Sequence, residues 1–230
     1  RPSASSSRRR ISLENEIAVL VLLFAASFVL GSIPWGVIIS RVFYHTDVRD
    51  HGSGNIGTTN AIRTMGKVGG GAVFVLDFGK GLFSGFLAWL FFTLLVDPAG
   101  STHSFTYQTL AACAFFGCIT GHIFSPWLGF KGGKGVAVAV GCMFATFGWQ
   151  FALIELALFA VVVITTKYVS AGSLTAAAVC PVLAFIRFSG DLPAAALCSA
   201  AAVIVIWAHR GNIARLRAGT ESRIGSKGGN

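Results

Sequence analysis

From residue 17 onward the chain alternates apolar runs with short polar breaks rich in glycine. The runs at 17–43, 68–96, 106–125, 135–150, 151–167, 173–188 and 193–210 each predict a transmembrane helix, since a bilayer core takes about 20 apolar residues. The pattern predicts an all-α, polytopic membrane bundle with seven transmembrane helices. The narrowest break is at Gly148–Gln150; without it two helices merge and the count falls to six. Pro34 predicts a kink in the first helix, tolerable where neighbouring helices satisfy the freed backbone groups. No helix or strand period fits 50–63, DHGSGNIGTTNAIR, which reads as a loop. The bundle domain covers 17–225, and residues 1–16 and 226–230 read as flexible tails. Lacking an initiator Met, the chain reads as a fragment or a processed form.

Composition agrees with the pattern. The chain is 54% hydrophobic and 12% charged with mean hydropathy +0.72, whereas a soluble domain carries about 25% charge. The net charge of +9 changes the picture through its placement. With seven crossings, the breaks at 44–67, 126–134 and 168–172 and the segment after 210 share one side. They hold Arg49, Arg63, Lys67, Lys131, Lys134, Arg210, Arg215, Arg217, Arg223 and Lys227. The opposite side holds Asp97, His103, Gln150, Arg187 and Asp191. The positive-inside bias predicts a cytoplasmic C-terminus and an outside N-terminus, against which only the Arg8–Arg10 cluster argues. Charges scattered over separate loops form no nucleic-acid stripe. Five cysteines in apolar runs without CxxC spacing read as packing residues, with no metal site and no disulfide framework.

Four glycine-bearing stretches therefore meet one membrane face. In the first, Gly52, Ser53, Gly54, Asn55, Gly57, Thr59 and Asn60 precede Arg63; backbone amides, a hydroxyl and a guanidinium suit a phosphate. In the second, GHIFSPWLGFKGGKG at 121–135, Lys131 and Lys134 flank Gly132 and Gly133 just before a helix start. The third offers Ser170 and Ser173. The fourth, HRGNIARLRAGTE at 209–221, puts His209, Asn212 and Arg215 on roughly one helix face. Asp77 and Lys80, inside an apolar run, are spaced for a buried pair, and His122 reads as a satisfied core histidine or a supporting group. Gly52, Gly54 and Gly57 match GxGxxG without the strand a dinucleotide fold needs, and GGKG lacks the spacing of a P-loop. His45 and Asp50 match the H-x4-D spacing of another acyltransferase class, which stands as an alternative. A transporter for a phosphorylated solute is a second alternative, although no internal repeat is present.

Together, GSGNIGTTN, GHIFSPWLGFKGGKG and HRGNIARLRAGTE resemble the three signature motifs of the PlsY-type acyl-phosphate:glycerol-3-phosphate acyltransferases. SIPWG at 32–36, DFGK at 77–80 and YVSAGS match in place and order, so the resemblance covers about 17–225. The departures, Thr58-Thr59 and Val136-Ala137-Val138, are mild. The resemblance implies a bacterial plasma-membrane enzyme, multi-pass, with its active site on the cytoplasmic face. It implies acyl transfer from long-chain acyl phosphate to the sn-1 hydroxyl of glycerol 3-phosphate, giving lysophosphatidic acid and inorganic phosphate. It implies no cofactor and no metal, membrane lipid as a partner, no nucleic-acid partner, and function as a monomer. On these residues the expected roles are phosphate binding by Ser53, Asn55 and the glycine amides, and neutralisation by Arg63 with Lys131 or Lys134. His209 positions the glycerol hydroxyl or its proton, Asn212 orients substrate, and Glu221 anchors the tail. An activated donor needs positioning and charge stabilisation more than a strong nucleophile. No GxSxG elbow or Ser-His-Asp order appears, so no covalent acyl-enzyme is expected. The acyl chain is expected in a groove lined from Phe83, Phe86, Phe91, Phe92, Phe115, Phe116 and Phe124.

Overall fold

The hydrophobic runs do become helices. The structure, a computed structural model, describes residues 13–96 and 104–225, and among them it is helical without a strand. The α-helices are α1 (Leu13–Ser32), α2 (Trp35–Tyr44), α3 (Thr58–Phe91), α4 (Tyr107–Ile123), α5 (Val136–Thr146), α6 (Trp149–Thr166), α7 (Val169–Arg187), α8 (Leu192–Ala208) and α9 (Arg210–Arg217). The Arg8–Arg10 cluster, Asp97, His103 and the segment 226–230 lie outside the described residues.

Three boundaries differ from the sequence reading, each for a local reason. The first helix starts at Leu13, because the buried Glu16 carboxylate accepts the Ser104 amide at 2.8 and 2.9 Å and the Phe105 amide at 3.0 Å. That contact pins the α1 start beside the α4 start, so residues 13–16 belong to the bundle. Pro34 gives a full break between α1 and α2, since it lacks an amide to continue the ladder. The third helix starts at Thr58, ten residues before the predicted position, with Gly57 as its N-cap. It kinks at Gly66, whose φ of 74° suits glycine alone. The break near Gly148 is real: Gly148 has φ 91° and separates α5 from α6.

Glycines let the helix backbones touch. A Cβ at Gly121 would overlap the Phe28 carbonyl and one at Gly31 the Cys118 carbonyl, which joins α1 to α4. Gly81 and Gly141 do the same between α3 and α5, meeting the Val138 and Phe78 carbonyls. Small residues at such crossings are how membrane helices gain van der Waals contact when lipid offers no hydrophobic contrast. The main core gathers α4, α5, α7 and α8 around Phe115, Ile119, Met143, Phe147 and Leu183.

The bundle has two chemically different ends. At one, Ser125 donates to the Ser32 carbonyl at 2.7 Å, and the Ile224 amide donates to the Lys167 carbonyl at 2.8 Å. At the other, Arg187 donates to the Phe147 carbonyl at 3.0 Å, and the Thr106 and Thr109 hydroxyls donate to Asp191. By length and composition five helical segments are long and apolar enough to cross a membrane, six if α8 and α9 are one span bent by 53°. The eleven residues of α5 span about 16 Å against a hydrocarbon layer of about 30 Å.

Candidate active site

A cavity of about 1850 Å³ opens at the first of these ends and runs down between α3, α4, α5, α6, α7 and α8. Its mouth is polar and its depth apolar. Of the residues singled out in the sequence, Gly52, Ser53, Asn55, Gly57, Thr59, Asn60, Arg63, Asp77, His122, Lys134, Ser170, Ser173, His209, Asn212 and Glu221 line it. Gly54, Lys80, Lys131, Gly132 and Gly133 do not. Neither His45 nor Asp50 does, which leaves the H-x4-D alternative without a place in the cavity.

The first loop works differently from a bare amide cradle. The Ser53 amide donates to Asn60 Oδ1 at 2.9 Å, the Gly54 amide to the His51 carbonyl at 3.0 Å, and the Gly57 amide to Asn55 Oδ1 at 2.9 Å. These amides are consumed inside the loop. Asn60, 1% exposed, is its keystone: its Nδ2 also donates to the Val48, His51 and Asn55 carbonyls at 2.8, 3.0 and 2.9 Å. The loop's chemistry therefore lies in what it presents: the Ser53 hydroxyl, the first turn of α3, and Arg63 one turn further on. The Thr58 hydroxyl is buried there without a hydrogen-bond partner.

The Gly-Lys stretch is also divided between scaffold and site. The Gly132 and Gly133 amides donate to the Ile123 and His122 carbonyls at 3.0 and 3.1 Å, closing the end of α4. A Cβ at Gly133 would overlap His122 Nε2. His122 in turn meets Lys80 Nζ through Nδ1 at 2.9 Å, and Lys80 pairs with Asp77 at 3.0 Å and donates to the Ile33 carbonyl at 2.9 Å. This buried Asp77–Lys80–His122 group seats the glycine pair, and the pair aims Lys134 into the mouth while Lys131 stays exposed outside.

Among the described residues, Arg63 and Lys134 form no ion pair with a carboxylate. Burial, reinforced by the Arg215 and Arg63 charges, pushes the Lys134 ammonium down to about 8. The local field thus favours an added anion. Glu221 offsets part of that field, while its carboxylate accepts from Asn212 Nδ2 at 2.6 Å and Arg215 Nε at 2.7 Å. Burial presses the Glu221 carboxyl up, but the nearby Ser170 hydroxyl, Asn212 and the Arg215 guanidinium together outweigh it and hold it below its ordinary value. The Ser170 hydroxyl, buried, faces Glu221 outside hydrogen-bond geometry. His209 Nδ1 lies 2.8 Å from the Val205 carbonyl, which only accepts, so Nδ1 carries the proton and Nε2 keeps a lone pair.

With this geometry in view, known proteins give a consistent comparison. A family model described as "Glycerol-3-phosphate acyltransferase" matches residues 21–219. The chain belongs to this family. It is 40% identical over 211 residues to a glycerol-3-phosphate acyltransferase of Brucella ovis, covering 92% of this chain and 96% of that one. It is 37% identical over 205 residues to the Lactiplantibacillus plantarum protein of the same name, covering 89% and 92%. Among solved structures, PlsY (YgiH), an integral membrane glycerol 3-phosphate acyltransferase, is similar in two forms. The glycerol 3-phosphate form gives a TM-score of 0.77 at 32% identity, and the lysophosphatidic acid form gives 0.74 at 31%. Both cover 90% of this chain and 96% of that one.

This acyltransferase also has cavity residues that sequence reasoning missed. The expected Phe groove is mostly elsewhere: Phe115 lines the cavity, but Phe83 and Phe86 are exposed on the outer surface. The aromatic lining comes instead from Phe74, Phe78, Phe144 and Phe159. Helix periodicity offered the signal, since Phe74 and Phe78 share a face with Asp77 and Gly81. Glu155 was also missed, although a lone acid within the apolar run 151–167 marks it. Among the described residues no group of three His, Cys, Asp or Glu side chains is placed to hold a metal.

Proposed function

We propose that this glycerol-3-phosphate acyltransferase takes its acyl group from a long-chain acyl phosphate. It transfers that group to the sn-1 hydroxyl of glycerol 3-phosphate and releases lysophosphatidic acid and inorganic phosphate. One observation carries the reading: two cations without carboxylate partners, Arg63 and Lys134, stand at the mouth of an apolar chamber beside an unprotonated imidazole nitrogen. The PlsY forms with glycerol 3-phosphate and lysophosphatidic acid support the acceptor and product.

The chemistry follows from the charges. Arg63, beside the Ser53 loop, clamps the acceptor phosphate bidentately, and Lys134 takes the donor phosphate. His209 Nε2 accepts a hydrogen bond from the glycerol hydroxyl and orients it toward the acyl carbon. A phosphate monoester, with a second pKa near 6, brings its own basic oxygen to the reacting centre. The proton therefore passes to the phosphate as the sn-1 oxygen–carbon bond forms and the acyl carbon–phosphate oxygen bond breaks. Asn212, held by Glu221, turns its carbonyl oxygen toward the substrate. Neutralising two phosphates in one place lowers the cost of their encounter, which is the main barrier when the leaving group is already good.

We place the site on the cytoplasmic face of a bacterial inner membrane, with seven crossings, the N-terminus outside and the C-terminus inside. Support comes from where helices end. The chain at α5 runs from Lys134, at the mouth, to Phe147, bonded to Arg187 at the far end. α6 then returns to Lys167, bonded to Ile224 at the mouth. The loops at the mouth carry the Lys and Arg excess. The test is stoichiometric: purified protein given glycerol 3-phosphate and palmitoyl phosphate should release 1-palmitoyl lysophosphatidate and inorganic phosphate one for one. The 2-acyl isomer, or product without phosphate release, would overturn the reading.

A further inference from the structure

Helix α6 is mostly turned outward. Leu153, Ile154, Val161 and Ile164 are 46, 49, 59 and 66% exposed, as suits a lipid-facing surface. It buries only two residues, Ala152 and Glu155. Glu155 is 9% exposed and lines the cavity with Ala152, Leu156 and Phe159 of its own helix, Met143 of α5, and Ala177 and Cys180 of α7. All these lining residues are apolar or nearly so. Among the described residues nothing donates a hydrogen bond to Glu155 and no cation pairs with it.

Its depth is the informative quantity. Lys167 ends α6 at the mouth, and Glu155 lies twelve residues earlier, about 18 Å along the helix. A glutamate side chain spans a small part of that distance, so this carboxyl takes no part in phosphate binding or in the transfer. It sits where the distal part of an acyl chain would lie. Ionisable groups inside a membrane bundle are costly and tend to be functional. An inward carboxyl with no protein partner keeps water as its partner while the chamber end is unfilled.

We infer that Glu155 is a specificity-determining residue, a polar stop that sets the length of acyl chain the enzyme accepts. The inference rests on the acyl-transfer reading above and adds the selectivity of the same cavity. A chain that ends short of Glu155 leaves its water in place. A longer chain strips the water and offers only methylenes in return, which leaves a buried polar group unsatisfied. Penalties of that kind amount to about fivefold to a hundredfold in binding.

The test measures kcat/KM of the purified full chain for lauroyl, myristoyl, palmitoyl and stearoyl phosphate. In the wild type the value should fall at one step of the series. Glu155→Leu should move that fall to a longer chain and raise the stearoyl-to-lauroyl ratio about tenfold, while Glu155→Gln, still polar, stays within about twofold of the wild type. A measurement on the wild type alone makes the same point. A terminal hydroxyl on a disfavoured chain should restore its kcat/KM, because the hydroxyl bonds the carboxyl. Brisk turnover with an unmoved ratio in Glu155→Leu, or no gain from the terminal hydroxyl, overturns the polar stop and leaves the donor assignment standing. A wild type that makes no lysophosphatidate from any of the four overturns the donor assignment, and the inference falls with it.

Discussion

Lys134 and Lys131 are equivalent in sequence, each beside a Gly-Gly pair, yet only Lys134 enters the cavity. The difference arises from two backbone bonds, Gly132 to Ile123 and Gly133 to His122, which fix the register of the turn before α5. Burial lowers the Lys134 ammonium to about 8, which makes its proposed part in phosphate binding titratable. The sign is set by the free enzyme: as pH rises through 8 the cation is lost and an anionic substrate binds less well. kcat/KM should therefore fall above pH about 8, and Lys134→Arg, with a guanidinium that stays charged, should carry the plateau higher. A profile that is flat across that range in the wild type would remove Lys134 from phosphate binding. His209 illustrates a second residue-scale point. Its role depends on which nitrogen carries the proton, and the Val205 carbonyl fixes that from within the helix.

At the scale of elements, the loop 51–57 depends on a residue in the following helix. Asn60 joins Val48, His51, Ser53 and Asn55, so the loop holds its shape only with that amide in place. Asn60→Ala removes all four bonds, each worth about 1 kcal/mol. It should raise the KM for glycerol 3-phosphate tenfold or more and change the KM for the acyl donor far less, as steady-state kinetics with each substrate varied would report. Equal effects on both would argue that the loop serves the donor. The sequence announced this loop by its glycines and its polar run, and it announced Arg63. It did not reveal that the amides are used internally, because the partners lie up to twelve residues away and their pairing is set by the α3 start at Thr58. The early start was hidden because glycine-rich flanks mask the helical period of 58–65. The polar cluster Asp77–Lys80 was legible from its spacing, but its link to Gly133 through His122 was not, since it crosses from α3 to α4 and on to the next loop.

At the scale of the molecule, alternation of apolar runs and glycine-rich breaks carried most of the architecture, including the narrow break at Gly148. Clustering of the motifs at one end was legible from charge and parity, and one cavity gathers most of the residues so chosen. The apolar chamber was not legible, because a phenylalanine in a membrane helix reads the same whether it faces lipid, core or cavity. The central claim concerns what that chamber and its mouth accept together: a donor whose leaving group is a phosphate. Purified protein offered glycerol 3-phosphate with either palmitoyl phosphate or palmitoyl-CoA tests it most directly. The account predicts lysophosphatidate from palmitoyl phosphate and none from the thioester; product from palmitoyl-CoA alone would contradict it.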